Sequence, residues 1–307
     1  MKRSRASLVL EDGRVFEGEV FGAARPAAGE VVFNTGMAGY PESLTDPSYA
    51  GQILVLTYPL VGNYGVPPRP APGSLDGPFE SERVQVAGLV VSTLCGEPSH
   101  WSSARTLDGW LRGEGVPGIR GIPTRTLTKI LREKGTMLGK IVLPGRDTEF
   151  VDPDKINLVE RVSVEGPLTY GSGRKRIALL DCGVKANIIR CLLDRGVTVV
   201  RVPWDHDLAQ LDYDGLVIPN GPGNPKMCGR TIETVRAALA RGKPIFGICL
   251  GNQILALAAG LDTYKLKYGH RSQNQPCLDA RTGRCPITSQ NHGYAVKPDL
   301  GPDWEAW

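Results

Sequence analysis

Four short runs rich in branched apolar residues, RIALLD (176–181), VTVVRVP (197–203), GLVIPNGPG (215–223) and PIFGICLG (244–251), are separated by longer amphipathic segments. Two of those segments, KANIIRCLLDRG (185–196) and TIETVRAALARG (231–242), have helical apolar spacing and close on glycine. Parallel strands need a crossover of helix length between them, so the alternation predicts an α/β fold, a doubly wound parallel sheet with helices on both faces. Ligands in such sheets gather outside the carboxyl ends of the strands. Two stretches fall at predicted strand ends: Asn220-Gly221-Pro222-Gly223 and the turn around Cys249.

The second of these carries the sharper chemistry. In PIFGICLGNQILALAAG (244–260), Ile245, Phe246 and Ile248 read as a buried strand, and Ile254, Leu255, Leu257 and Ala258 as the apolar face of a helix. Cys249 stands between them, flanked by Gly247 and Gly251. A sharp strand-to-helix elbow crowds neighbouring backbones, which glycine tolerates, and the helix amino terminus favours a thiolate. The same spacing also suits a small buried cysteine in a tight turn. If Cys249 is a nucleophile in acyl transfer, a tetrahedral oxyanion needs two N–H donors, and the backbones of Leu250 and Gly223 are candidates. Gln253, one helical turn on, offers an amide for a polar substrate. The loop at 220–223 taken alone is a turn, and His292, in PITSQNHGYAV (286–296), taken alone is a loop histidine.

Composition narrows the function classes. Charged residues make up 22% of the 307 and the net charge is +4, so no long-range field favours nucleic acid or an anionic membrane surface. The opening MKRSRASLVLEDG has too short an apolar run for a signal peptide or a membrane span, and a cytoplasmic chain is expected. Seven cysteines without a C-x-x-C pair, and four scattered histidines, predict neither a disulfide framework nor a metal site.

The length suits two domains. SLVLEDGRVFEGEVFG reads as a hairpin around Asp12-Gly13, followed by strands at VVFNT (31–35), QILVLTYP (52–59) and VAGLVVSTL (86–94). IPTRTLTKILREKG (122–135) is a helix lined by Leu127, Ile130 and Leu131 and ended by Gly135. PPRPAPGSLDGP (67–78), with five prolines, reads as a surface loop. Periodicity fades between Pro144 and Lys175, so the expected organisation is a mixed α/β domain over 1–143, a linker over 144–175 and the doubly wound domain over 176–307.

Taken together, NGPG (220–223), GICLGNQ (247–253) and NHGYAV (291–296) resemble the class I glutamine amidotransferases. EVVFNTGMAGYPESLTDPSYAGQILVLTYPLVGNYG (30–65), GIPTRTLTKILREKG (121–135) and DCGVKANIIRCLLDRG (181–196) are similar, in order and spacing, to the small glutamine-hydrolysing subunits of carbamoyl-phosphate synthases, and the resemblance covers the whole chain. It implies hydrolysis of L-glutamine to glutamate and ammonia here. A large synthetase subunit, binding ATP and magnesium, would use the ammonia for carbamoyl phosphate in arginine and pyrimidine synthesis. No cofactor is implied for this chain. The resemblance makes Cys249 the nucleophile that forms a glutamyl thioester and puts the oxyanion hole on Gly223 and Leu250. It assigns glutamine binding to Ser48, Gly221, Gly223, Leu250, Gln253, Asn291, Gly293 and Tyr294, with His292 positioning and not acting as the base. Tyr294 stands where many relatives have Phe.

One departure concerns the base. The family's His and Glu, two residues apart beyond the NHG stretch, are not reached before Trp307, and no His follows His292. The expected reading is part of a longer chain, whose 307 residues do not turn glutamine over by themselves. The alternatives are a non-catalytic glutamine-binding partner subunit and an unrelated cysteine hydrolase, which would need a His of this chain to activate Cys249.

Overall fold

The computed structural model describes residues 5–306, which group into two units: one holds the described residues up to Pro153 with Arg271–Gln273, the other Asp154–His270 with the residues from Asn274 onward.

In chain order the first unit contains β1 (Arg5–Leu10), β2 (Val15–Gly22), β3 (Ala27–Asn34), α1 (Tyr40–Thr45), β4 (Gln52–Leu56), β5 (Leu60–Val61), β6 (Gly88–Val90), β7 (Thr93–Leu94), α2 (Leu107–Gly113), β8 (Pro117–Arg120), α3 (Thr124–Lys134) and β9 (Met137–Val142). Seven of these strands close a barrel in the order β1-β2-β8-β6-β4-β3-β9, with β9 returning to β1. The β1–β2 hairpin forms where the Asp12-Gly13 signal places it, with Val9 opposite Val15 and Gly13 at φ 87°. Alternation along β1 buries Ala6, Leu8 and Leu10. The helix read from 122–135 is α3; it buries Thr124, Leu127 and Leu131, and the Gly135 N–H donates to the Leu131 carbonyl at 2.9 Å. VAGLVVSTL is not one strand but two, β6 and β7, and β7 leaves the barrel to pair with β5.

The second unit contains α4 (Val159–Val162), β10 (Leu168–Tyr170), β11 (Arg176–Asp181), α5 (Ala186–Leu193), β12 (Thr198–Pro203), β13 (Gly215–Ile218), α6 (Gly229–Leu239), β14 (Ile245–Gly247), α7 (Leu250–Ala258), β15 (Thr263–Pro276) except for its Arg271–Gln273, and β16 (Ile287–Val296). Its sheet has the order β10-β12-β11-β13-β14; the four strands expected from the alternating runs are parallel and β10 adds an antiparallel edge. β11 lies at the centre, where Ala178, Leu179 and Leu180 are fully buried, as a strand covered on both faces must be. Ile189 of α5, Val235 of α6 and Ile254 of α7 are buried as well. The expectation of a loop around His292 is corrected: residues 287–296 are one strand, β16, paired with β15 in a two-stranded sheet. GHRSQNQP of β15 and TSQNHG of β16 are polar almost throughout, so no apolar run marks them as strands, although Arg271 and Ser272 are buried.

Candidate active site at the elbow between β14 and α7

Cys249 has φ 55° and ψ −110° and is the one non-glycine residue with positive φ among the described residues. Such a conformation costs on the order of 1–3 kcal/mol and persists only when its surroundings dictate it. Here the hydrogen bonds on either side do so. The Ile248 N–H donates to the Ile218 carbonyl at 2.9 Å, and the Gly251 N–H to the Pro219 carbonyl at 3.0 Å. Both acceptors lie at the end of β13, so the carboxyl end of one strand clamps the elbow after the next. Glycine is required at 251, because a Cβ there would stand 1.9 Å from the Ile218 carbonyl oxygen. Gly247 is equally confined: its Cβ would meet the Gly251 oxygen at 2.6 Å.

The elbow leaves Cys249 half-buried at the amino terminus of α7. Its Sγ faces the Asn291 carbonyl at 3.6 Å, a long contact in which the thiol donates. The neighbouring cysteines are unlike it. Burial pushes the Cys182 thiol well above the usual range, with Cys228 and Asp181 adding to the effect, and pushes Cys228 up to about 12. Those two are inert packing residues. Next to Cys249, Leu250 is 2% exposed, and among the described residues neither its amide nor that of Gly223 has an acceptor. A buried amide without a partner at a helix amino terminus is suited to an incoming oxyanion.

Strand β16 supplies the facing wall. Gln253 Nε2 donates to the Tyr294 carbonyl at 2.7 Å. His292 Nδ1 lies 2.8 Å from the same carbonyl, which only accepts, so Nδ1 carries the hydrogen. His292 Nε2 lies 3.1 Å from Gln290 Oε1 and 3.2 Å from Nδ1 of His270 on β15. Gly293 lies between His292 and Tyr294 on β16.

Gly221 abuts both the elbow and β11: a Cβ there would stand 2.1 Å from the Cys182 carbonyl and 2.5 Å from Leu250 Cδ2. Gly223 takes φ 83° beside Leu158. The structure thus gathers Cys249, Leu250, Gln253, Asn291 and Tyr294 by direct contact, with Gly221 against Leu250. Ser48 belongs to the other unit. It lies buried on a single 3-10 turn, Pro47–Tyr49, whose start is held by its own N–H donating to Asp46 Oδ1 at 2.9 Å.

Two residues of this neighbourhood were given no role by the sequence. Asn220 is 3% exposed; its Oδ1 accepts from the Lys185 N–H at 3.0 Å and its Nδ2 donates to the Gly183 carbonyl at 2.9 Å, which ties the glycine loop to the turn after β11. An Asn opening a Gly-Pro-Gly loop is a signal of that kind. His270 had no local signal, since its partner is twenty-two residues away. Among the described residues there is no group of three or more His, Cys, Asp or Glu able to hold a metal, and no helix long and apolar enough to cross a membrane.

Residues 8–141 match the family described as carbamoyl-phosphate synthase small chain, CPSase domain, and residues 178–307 match glutamine amidotransferase class-I. The chain is 52% identical to the multifunctional protein CAD of Squalus acanthias over 97% of its own length and 14% of that protein's. It is 48% identical to the arginine-specific small chain of carbamoyl phosphate synthase of Saccharomyces cerevisiae, over 97% of this chain and 76% of that one. It is 46% identical to the mitochondrial carbamoyl-phosphate synthase [ammonia] of Mus musculus, over 99% of this chain and 21% of that one. The chain spans less than a fifth of the length of the multifunctional relatives it matches.

Proposed function

Because the chain belongs to the carbamoyl-phosphate synthase small-chain family and carries its class I glutamine amidotransferase domain, we propose that it releases ammonia from L-glutamine through a Cys249 thioester. The observation that carries this reading is the strained Cys249 at the amino terminus of α7, beside the buried, unpartnered amide of Leu250. In the proposed reaction Cys249 Sγ attacks the carboxamide carbon of glutamine. The developing oxyanion is received by the amides of Leu250 and Gly223. Collapse breaks the C–N bond, ammonia leaves with an added proton, and water then hydrolyses the thioester to glutamate.

Gln253, Asn291 and Tyr294 frame the glutamine, with Gly221 giving the loop its close approach and Ser48 reaching the bound substrate. His292, whose Nδ1–H is committed to the Tyr294 carbonyl, positions β16. The proton transfers need a base. The family resemblance assigns that task to a His held by a Glu two residues on, a pair that these 307 residues do not contain. The ammonia is used by a large synthetase component, which takes ATP and magnesium. The large component rests on the names of the relatives, and its ATP and magnesium on the family resemblance, not on a site in this chain.

In a chain extended to carry the His–Glu pair and bound to that component, Cys249→Ala is expected to abolish glutamine-dependent carbamoyl phosphate synthesis and to spare ammonia-dependent synthesis. Equal loss of both would overturn the reading. A second reading has one observation in its favour: a relative named for ammonia covers nearly all of this chain. On that reading the chain binds glutamine as a non-catalytic partner subunit. A glutamine-derived chloroketone distinguishes both from an unrelated hydrolase, since labelling of Cys249 that glutamine blocks requires a glutamine pocket. Steady-state glutamate release from a chain extended to carry the His–Glu pair then separates the first reading from the second.

A further inference from the structure

The first unit holds a cavity of about 730 Å³ whose lining includes none of the residues assigned to glutamine chemistry. Its volume is that of a small-molecule site, and its walls are mostly apolar, as such sites are. An aromatic run borders it. Tyr40 and Tyr64 stack with ring centroids 4.2 Å apart, His100 meets Tyr64 edge-on at 6.1 Å, and Trp101 follows His100 at 5.5 Å. Tyr64, His100 and Trp101 line the cavity, and the proline-rich stretch read from sequence as a surface loop contributes Pro67, Pro68 and Pro70. Trp101 is 92% exposed. An indole left in water beside an apolar cavity is a surface that contact with a ligand would cover.

The polar groups set the charge of that ligand. Glu42, in the first turn of α1, lines the cavity, and its Oε2 is buried without a hydrogen-bond partner. Burial holds its carboxyl above the ordinary range, its own backbone N–H offsets part of this, and Glu80 adds to it. Arg69, the cation of the lining, is already engaged by Glu114 at 3.0 Å and by the Glu82 carbonyl. Asp76 accepts from the Ser74 hydroxyl at 2.7 Å and adds a second negative group. A buried carboxylate oxygen lacking a donor calls for an N–H, and a carboxylate beside aromatic faces favours a positive one.

We propose that this cavity binds a small organic cation, a primary ammonium on a flat apolar body, with the ammonium donating to Glu42 and the body lying against Tyr64, His100 and Trp101. An anion meets Glu42 and Asp76 with repulsion, and a neutral hydroxyl donates to Glu42 without the positive charge that strengthens the ammonium contact.

The test uses phenethylamine as probe, titrated calorimetrically into the 307-residue chain beside 2-phenylethanol and 3-phenylpropionate. Phenethylamine is expected to saturate in the millimolar range or tighter, the alcohol to bind at least about tenfold more weakly, and the propionate not to bind. Glu42→Gln, which conserves shape, and Trp101→Ala, at an exposed position, are each expected to weaken phenethylamine by about tenfold while the melting transition persists. Equal affinity for amine and alcohol, no saturable binding of the amine, or unchanged affinity in both folded variants would overturn the proposal. The readout is binding and not glutaminase activity, so its failure is separable from failure of the Cys249 reading.

Discussion

Gln253 Nε2 donates to the Tyr294 carbonyl oxygen at 2.7 Å, which ties the first turn of α7 to strand β16. The helix that presents Cys249 and the strand whose Asn291 carbonyl faces its sulfur are therefore held together by a side chain that is 6% exposed. Replacing Gln253 by Met keeps length and volume and removes the donor. Loss of one buried hydrogen bond costs about 1 kcal/mol, so the variant should unfold at lower denaturant concentration with an unchanged slope, and in a chain extended to carry the His–Glu pair the glutamine KM should rise about fivefold. An unchanged midpoint and KM would show that the contact contributes nothing.

The elbow makes two substitutions opposite in sign. At φ 55° a Cβ is strained, so Cys249→Gly should be more stable than Cys249→Ala by about 1 kcal/mol, even though glycine loosens the unfolded chain. Gly251→Ala drives a methyl toward the Ile218 carbonyl oxygen, where its Cβ would stand at 1.9 Å, and should destabilise by about 3 kcal/mol. Thermal melts of the three variants decide the matter. A Gly251→Ala protein as stable as the parent would mean the clamp between β13 and the elbow yields easily.

Ser48 supplies the test of the reach proposed for it. If its hydroxyl contacts the bound glutamine, Ser48→Ala should raise the glutamine KM by the equivalent of about 1 kcal/mol and leave kcat nearly unchanged. Steady-state kinetics with varied glutamine, on a chain extended to carry the His–Glu pair, measure this. A kcat loss at constant KM would mean that Ser48 matters through the buried turn it sits on and not through substrate.

Glu42 predicts a pH dependence. Burial raises its carboxyl in the folded state above the unfolded value of about 4.3, so the folded state binds the proton more tightly. Stability from this group is therefore present at low pH and is lost as pH rises from the unfolded value through the raised folded value. Glu42→Gln removes that slope and should leave the protein more stable than the parent at neutral pH. Melting curves across pH 4 to about pH 8 would show parallel profiles if the carboxylate were solvated instead.

The strands and helices of residues 176–260 and the glycine-flanked elbow were legible in the sequence because their causes are local. A buried parallel strand reads as a continuous apolar run, a helix reads in its spacing, and Gly247 and Gly251 mark a backbone with no room for Cβ. The β1–β2 hairpin and α3 were visible for the same reason. Only the tertiary structure decided that seven strands close a barrel, since the parallel pairings β4–β6 and β6–β8 join segments whose side chains show period but not partner. It also decided that residues 287–296 form a strand, that Asn220 braces the glycine loop, and that His270 meets His292. Each of these depends on groups far apart in the chain. The cysteine's chemistry follows the same division: its residue type and elbow are written in the sequence, and the strained φ that aims it is imposed by carbonyls of the neighbouring strand.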